Sequence, residues 1–365
     1  MVTLCDLSQM PPVDAGKLHE LAQSVEAFQL LTSALQLGFF DALEIPRDAE
    51  ELADELGLNN VITEKCCNAL ASSGFLLHKD GRYSLSDLSK TFLLRSSPYY
   101  QGDLIGLLRK TRIERWGRII EALQNGPVDF GRDSNSVFDA NFVHAMAQGA
   151  ARGGLQKTIE ILCGCQEFIN ARTLLDLGGG HALYSIAFAQ LNPSLDVRVF
   201  DLPPVVENVT RQNISAYRAD RVTAIQVNNL RANKLAAGYR ADRVTAIPGD
   251  FTQDDLGEGY DIIFASDILY RPRESLGFIL DRIHSSLKDN GLFISKHWHI
   301  DDLSQDITAV YFDLMFSLTD DADRLYSTEG FSKILESHGF SVEEVHNFNH
   351  RFHPSRMIIA RKVKL

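Results

Sequence analysis

Three short stretches bring acids and glycines to places where a ligand could be held. The first is Leu174-Leu175-Asp176-Leu177-Gly178-Gly179-Gly180-His181-Ala182-Leu183-Tyr184. An apolar run that ends in an acid and then three glycines predicts a buried strand turning sharply into a helix. Glycine suits such a turn because the backbone takes unusual φ/ψ angles and lets a ligand approach bare amides. The dinucleotide fingerprint G-x-G-x-x-G does not fit, since its third glycine would fall at Leu183. The second stretch, Val197-Arg198-Val199-Phe200-Asp201-Leu202-Pro203-Pro204, sets an acid 25 residues after Asp176. A carboxylate at the end of that next strand can accept both hydroxyls of a ribose. The third, Pro248-Gly249-Asp250-Phe251, follows Arg243-Val244-Thr245-Ala246-Ile247. It offers a carboxylate to an adenine amino group and an aromatic to the ring face. Tyr260-Asp261-Ile262-Ile263-Phe264-Ala265 and Gly291-Leu292-Phe293-Ile294-Ser295 supply two further strands.

Glycine loop, ribose acid, adenine acid and two more strands, in that order, resemble class I S-adenosylmethionine-dependent methyltransferases. The wording Phe200-Asp201-Leu202-Pro203 and Gly249-Asp250-Phe251 narrows the resemblance to the plant caffeate and acetylserotonin O-methyltransferases with their antibiotic-pathway relatives. It runs over nearly the whole chain. The fold it implies is α/β, a Rossmann-like seven-stranded methyltransferase domain preceded by an α-helical winged-helix dimerisation domain. It implies S-adenosylmethionine as cofactor, with Asp176, Gly178, Gly180, Asp201, Leu202, Gly249, Asp250, Phe251 and Ser266 in contact with it. A homodimer and a small-molecule acceptor are implied too. Met146, Arg152 and Trp298 are the acceptor-pocket candidates, the first two from a segment that lines that pocket in the family.

The acid–base half of the family pattern is missing. In the resembled O-methyltransferases a His-Asp pair after the fourth strand removes the acceptor proton, aided by two glutamates. Here Ser266-Asp267-Ile268-Leu269-Tyr270-Arg271-Pro272 carries Tyr270-Arg271 in its place, and the glutamates would fall near His297 or Trp298 and near Leu325. Tyr270, Arg271, His297 and His299 are therefore the catalytic candidates. Three readings stay open. One is methylation of a nucleophile that needs another base or none, such as an amine, an ionised oxygen or an enol carbon of an α-keto acid. Arg271, Arg152 or Lys296 could then hold an acceptor carboxylate. No metal is expected, but a metal-assisted version would draw on His297 and His299, two apart on one strand face. The third is a relative that binds the cofactor without methylating, as a hydroxylase or pericyclase.

The rest of the chain must position these groups. Its 365 residues suggest more than one domain, and 45% hydrophobic with 23% charged residues suit a globular protein. The expected divisions are 1–98 for dimerisation, 99–168 for bridging helices and 169–365 for cofactor binding. Helical spacing runs through Leu21, Val25, Phe28, Leu31, Leu35 and Phe40; Asp48 caps a second helix and Thr63 opens a third. A hairpin around Asp80-Gly81 completes a winged-helix pattern. That raises a transcriptional regulator, which charge disfavours: residues 1–98 hold fourteen acids against seven Lys and Arg, and Thr63 to Leu70 offers only Lys65. Phosphate neutralisation needs many cations. The net charge of −12 likewise argues against nucleic acid and anionic lipid.

Five cysteines without C-x-x-C spacing read as reduced thiols of a cytoplasmic protein. No secretory signal and no membrane span is expected. Tyr217-Arg218-Ala219-Asp220-Arg221-Val222-Thr223-Ala224-Ile225 recurs unchanged 22 residues later as 239–247. This is a tandem duplication between cofactor strands two and three, and the second copy is expected in the sheet because Asp250 must leave that strand directly.

Overall fold

The computed structural model describes residues 12–130, 139–219, 241–319, 324–348 and 354–364. The chain divides into two compact units, 1–109 and 110–365. The helices read as a bridge thus belong, from residue 110 onward, with the unit that carries the large sheet.

The first unit opens with α1 (Gly16–Leu37), which ends at Gly38 and is followed by α2 (Phe39–Ala42). One continuous helix was the expectation for this stretch; Gly38, in the left-handed region, turns the chain instead. Helix α3 (Ala49–Leu56) starts with a reciprocal cap. The Glu51 N–H donates to the Asp48 carboxylate at 2.9 Å, and the Asp48 N–H donates to Glu51 at 3.1 Å. Helix α4 (Asn60–Ser72) begins one turn before the expected Thr63, because the Asn59 side chain caps it. Strands β1 (Leu76–Lys79) and β2 (Arg82–Leu85) form the hairpin around Asp80-Gly81. Helices α5 (Asp87–Phe92) and α6 (Gly102–Thr111) complete the unit. Phe40, Leu43, Leu52, Leu70 and Leu76 make its core, each at most 2% exposed.

The second unit begins with α7 (Ile119–Asn125), α8 (Ala140–Gly149), α9 (Leu155–Leu162) and α10 (Gln166–Asn170). The helical course of the chain is broken between α8 and α9. Arg152 there leaves helical angles and Gly153 takes φ 136°, a conformation that only glycine adopts without strain. Alternating strands and helices follow: β3 (Thr173–Leu177), α11 (Leu183–Leu191), β4 (Asp196–Asp201), α12 (Pro203–Val205) and α13 (Arg211–Ala219). Then come β5 (Val244–Pro248), β6 (Tyr260–Ser266), α14 (Arg273–Ser286), β7 (Leu287–Trp298), α15 (Ile307–Ser317), α16 (Thr328–Ser337), β8 (Phe340–Asn347) and β9 (Ser355–Lys362). The seven-stranded sheet runs β5-β4-β3-β6-β7-β9-β8, parallel except for β9, which is antiparallel to both neighbours.

The strands are apolar runs because both faces are covered. Leu174, Ile262, Phe264, Leu292 and Ile294 pack to one side with Phe188 of α11 and Leu162 of α9. Leu175, Leu177, Ile263, Ala265 and Phe293 pack to the other with Leu276 and Ile279 of α14. Strand order reverses direction at β3, and the carboxyl ends of β3, β4 and β6 open there, where doubly wound sheets bind ligands. Val244–Ile247 of the second duplicate forms β5 and pairs with β4. Most of the first duplicate, residues 220–225, lies outside the described residues.

Candidate active site

The loop after β3 has the conformation its glycines require. Gly178 takes φ 65° and Gly180 φ 46°. A Cβ on Gly178 would stand 2.7 Å from Ile268, and one on Gly179 would stand 2.7 Å from both the Asp176 carboxyl and Val199. Beside Gly180 nothing lies closer than 3.7 Å, with Val143 of α8 and Asp201 bounding the space. A Cβ on Gly180 would thus sit at ordinary van der Waals contact, whereas Gly178 and Gly179 have no space for one. Asp176 is 1% exposed, accepts the Ser185 hydroxyl at 2.6 Å, and burial pushes its pKa up to about 7. His181 is buried too. Its Nδ1 accepts the Leu183 N–H at 3.1 Å, and burial, then the Lys296 charge, brings its pKa down to about 4.

Asp201 ends β4 with both oxygens on backbone. It accepts the Gly180 N–H at 2.7 Å and the Leu202 N–H at 2.7 Å, so the second acid fixes the glycine loop. Burial raises its pKa against those two hydrogen bonds. Each oxygen keeps lone-pair capacity for a hydroxyl. Asp250 lies beyond β5 and is turned onto its own loop, accepting from the Thr252 N–H and hydroxyl at 2.9 and 2.6 Å and from Gln253 at 2.9 Å. Gly249 has no space for a side chain, since its Cβ would meet the Phe200 ring at 2.4 Å.

At the ends of β6 and β7 the parallel register sets Ser266 beside Lys296. Lys296, 4% exposed, donates to Asp267 at 2.6 Å and lies 3.4 Å from the Ser266 hydroxyl. Burial opposes its charge, but Asp267 outweighs burial and raises its pKa. Asp267, a non-glycine residue at φ 59°, also accepts the Tyr270 hydroxyl at 2.7 Å. That hydroxyl in turn accepts the Trp298 N–H at 2.9 Å. Burial and the Asp267 charge push the Tyr270 phenol well above its ordinary range. Tyr270 is a bridge between two loops and holds its proton.

His297 and His299 do not present two free imidazoles. His297 is 2% exposed, and its Nε2 accepts the backbone N–H groups of Ile268 at 3.1 Å and Leu269 at 2.9 Å. With Nε2 an acceptor, Nδ1 donates to the Ser295 hydroxyl at 2.8 Å, and burial brings the pKa down to about 3. The residue expected as a base is thus a buried strut under the Tyr270 loop. His299, also 2% exposed, donates from Nδ1 to the Tyr326 carbonyl at 3.1 Å and leaves Nε2 without a hydrogen bond. Both rings flank Phe331, His297 from β7 and His299 from just beyond its end. Among the described residues no group of three or more His, Cys, Asp or Glu is arranged to hold a metal.

Arg271 is half-buried with its guanidinium 5.6 Å over the Phe251 ring. Trp298 is half-buried and meets Phe312 edge to face at 4.7 Å; Phe312 meets Tyr270 at 5.2 Å and Phe316 at 4.7 Å. Met146 is half-buried on α8, one turn beyond Val143, and Arg152 is exposed at the break after it. His144 is exposed, His338 pairs with Asp281 and His346 with Glu344, while His350 and His353 lie outside the described residues. Sequence reasoning passed over Phe312 and Phe316, although their i, i+4 spacing on α15 was a visible signal. It also passed over Arg356, which is 7% exposed and pairs with Asp306 at 3.0 Å and Asp301 at 3.2 Å. Nothing local announces that pair.

The fold is a doubly wound α/β sheet with acids and a glycine loop at the strand ends, and comparison gives the family. A model described as the O-methyltransferase dimerisation domain matches residues 19–95, and one described as the O-methyltransferase domain matches 132–235. The chain belongs to the S-adenosylmethionine-dependent O-methyltransferase family. It is 30% identical to an uncharacterised protein of Methanocaldococcus jannaschii, over 77% of this chain and 69% of that one. It is 25% identical to the L-tyrosine C(3)-methyltransferase of Streptomyces lavendulae, over 96% and 94%. The crystal structure of human N-acetylserotonin methyltransferase in complex with S-adenosylmethionine shares the fold, with TM-score 0.75 at 20% identity, covering 98% of this chain and all of that one. S-Adenosylmethionine is the cofactor, and the Asp201 carboxylate, which keeps lone-pair capacity for a hydroxyl on each oxygen, fits such a molecule. No helix among the described residues is long and apolar enough to cross a membrane.

Proposed function

We propose that this protein methylates a small aromatic acceptor that brings its own nucleophile. The observation that carries the reading is that two of the acid–base candidates, Tyr270 and His297, are engaged elsewhere, while burial holds the third, His299, well below the ordinary imidazole range. The Tyr270 hydroxyl is tied between Asp267 and the Trp298 N–H, and both His297 nitrogens are bonded. When bound, S-adenosylmethionine supplies an electrophilic methyl on its sulfonium. The chain's own task is to align that carbon with the acceptor. Asp201 takes the ribose hydroxyls, Asp250 the adenine amino group and Phe251 the ring face. The amides of Gly178 and Gly180, with Ser266, take the amino-acid end. The aromatic wall of Tyr270, Trp298, Phe312 and Phe316 seats the acceptor ring. An ionised oxygen, an amine or an electron-rich ring carbon then needs no protein base. The names of two proteins similar to this one specify an aromatic acceptor, L-tyrosine and N-acetylserotonin.

The protein works, on this reading, as a cytoplasmic homodimer joined through its first unit. Support comes from the match to a dimerisation domain and from Leu18, Leu21 and Val25 on α1, which are 72%, 59% and 64% exposed. The four described cysteines are free thiols, which agrees with a reducing compartment.

The test is to incubate the protein with methyl-labelled cofactor and a panel of phenols, aromatic amines, aromatic amino acids and keto acids. Label should pass to an aromatic member. Label passing to nothing, despite tight cofactor binding, would sink the transferase reading.

A further inference from the structure

Asp267 is a carboxylate that its partners leave open. Solvent reaches 38% of its side chain, while that of Lys296 is 5% exposed. Burial is nonetheless the largest influence on its charge. The Lys296 charge and the Lys296 and Tyr270 hydrogen bonds outweigh burial and hold the acid below the ordinary carboxylate range. A group that is open to water and also surrounded by protein lines a cleft. Lys296 and the Ser266 hydroxyl donate to one oxygen at 2.6 and 3.0 Å, and the Tyr270 hydroxyl donates to the other at 2.7 Å. A carboxylate has about four lone-pair sites, so the second oxygen keeps room for another donor. Its φ of 59°, uncommon outside glycine, is the kind of strain that gathers at functional sites.

The neighbours of Asp267 face two ways. Ile268 packs on the glycine loop, where a Cβ on Gly178 would stand 2.7 Å from it. Tyr270 carries its ring to the aromatic wall, 5.2 Å from Phe312. On the methyl-transfer reading above, the cofactor's amino-acid end meets that loop and the acceptor ring meets that wall, so the reacting atom comes between them. We propose that Asp267 accepts a hydrogen bond from the reacting nitrogen of the acceptor, so that the substrate class is an aromatic amine. The assignment rests on that reading and narrows it. A neutral arylamine offers its lone pair to the methyl and an N–H to Asp267 at once. A phenol would first have to lose its proton, and an acid held below its ordinary range is a poor base for a group that ionises near about 10. A phenolate would meet like charge, and a ring carbon brings no N–H. As the N–C bond forms, the S–C bond breaks and its electron pair returns to sulfur. The surplus proton on nitrogen then passes over Asp267 to water.

The experiment incubates the protein with methyl-labelled S-adenosylmethionine and ring-matched pairs that differ only in the reacting group. Naphthylamine is set against naphthol, toluidine against cresol, and aminoindole against hydroxyindole. In at least one pair label should reach nitrogen tenfold or more faster than oxygen. Asn tolerates a positive φ as Asp does, so Asp267→Asn removes the charge and spares the backbone. It should cut kcat/KM for that amine by thirtyfold or more, erase the preference over the phenol, and leave S-adenosylhomocysteine affinity within about twofold by calorimetry. Label reaching oxygen or ring carbon in preference overturns the proposal and leaves methyl transfer standing. Label reaching no member of any pair overturns it too. So does an Asp267→Asn variant that keeps its amine turnover, or one that loses S-adenosylhomocysteine, which would make Asp267 a structural or cofactor contact. Failure of the wild type to bind S-adenosylhomocysteine at all is a different result and would remove the transferase reading itself.

Discussion

The Tyr270 hydroxyl donates to the Asp267 carboxylate across 2.7 Å, and that carboxylate is held in turn by Lys296 at 2.6 Å. Asp267 thereby joins the loop after β6 to the end of β7, and its φ of 59° is a strain that the two partners together stabilise.

Tyr270→Phe keeps the ring on the aromatic wall but strips Asp267 of one donor and the Trp298 N–H of its acceptor. We expect a loss of about 1–3 kcal/mol in urea unfolding, the cost of leaving buried groups unpaired, with cofactor affinity unchanged. A variant of wild-type stability that has lost turnover by orders of magnitude would instead make the hydroxyl a chemical participant.

Asp201→Ala removes the acceptor of the Gly180 and Leu202 N–H groups as well as the proposed ribose contact. Affinity for S-adenosylhomocysteine should fall by about 1.5–3 kcal/mol. Titration calorimetry reads this directly, and undiminished binding would move the ribose elsewhere.

Asp176 has its pKa pushed up to about 7 by burial, above the ordinary 3.8. The folded chain therefore binds this proton more tightly than the unfolded one. Its contribution to stability is fully present below about pH 4 and is lost as pH rises through about 7. Asp176→Asn, which stays neutral, should flatten that slope and gain on wild type between pH 5 and 8. Parallel urea melts across that range test it; identical slopes would mean the carboxylate is stabilised in place.

Leu21→Glu with Val25→Glu puts charge on the exposed apolar side chains of α1. Light scattering should then shift from dimer toward the 40.7 kDa monomer while S-adenosylhomocysteine still binds. An unchanged dimer would place the interface on another surface.

Arg356→Met breaks a buried pair in which the two side chains are 8% and 6% exposed. Leaving Asp306 charged with only the Asp301 and Asp302 N–H groups as partners should cost about 3–5 kcal/mol of stability. Restoring neutrality with Asp306→Asn in the same chain should recover part of the loss, as a double-mutant cycle would show.

The order of strands, glycine loop and acids in the second unit was legible in the residues alone. Gly178 and Gly180 are where the backbone takes positive φ, the apolar runs are where both sheet faces are covered, and acids stand at the ends of β3 and β4. Those features follow from local rules of backbone conformation and periodicity. The second duplicate reached β5 for the same reason, since a strand must end where Asp250 begins its loop. Tertiary structure alone decided what the polar side chains near the acceptor do. His297 and Tyr270 have the residue types of a base, but the backbone N–H groups that occupy their acceptor atoms lie 28 and 29 positions away, across the register that pairs β6 with β7. Arg356 meets Asp306 across 50 positions. A hydrogen bond or ion pair between distant residues is fixed by how strands align and how much water is excluded, neither of which residue identity or spacing encodes locally. The same burial that raised the pKa of Asp176 turned the expected histidine base into a neutral strut.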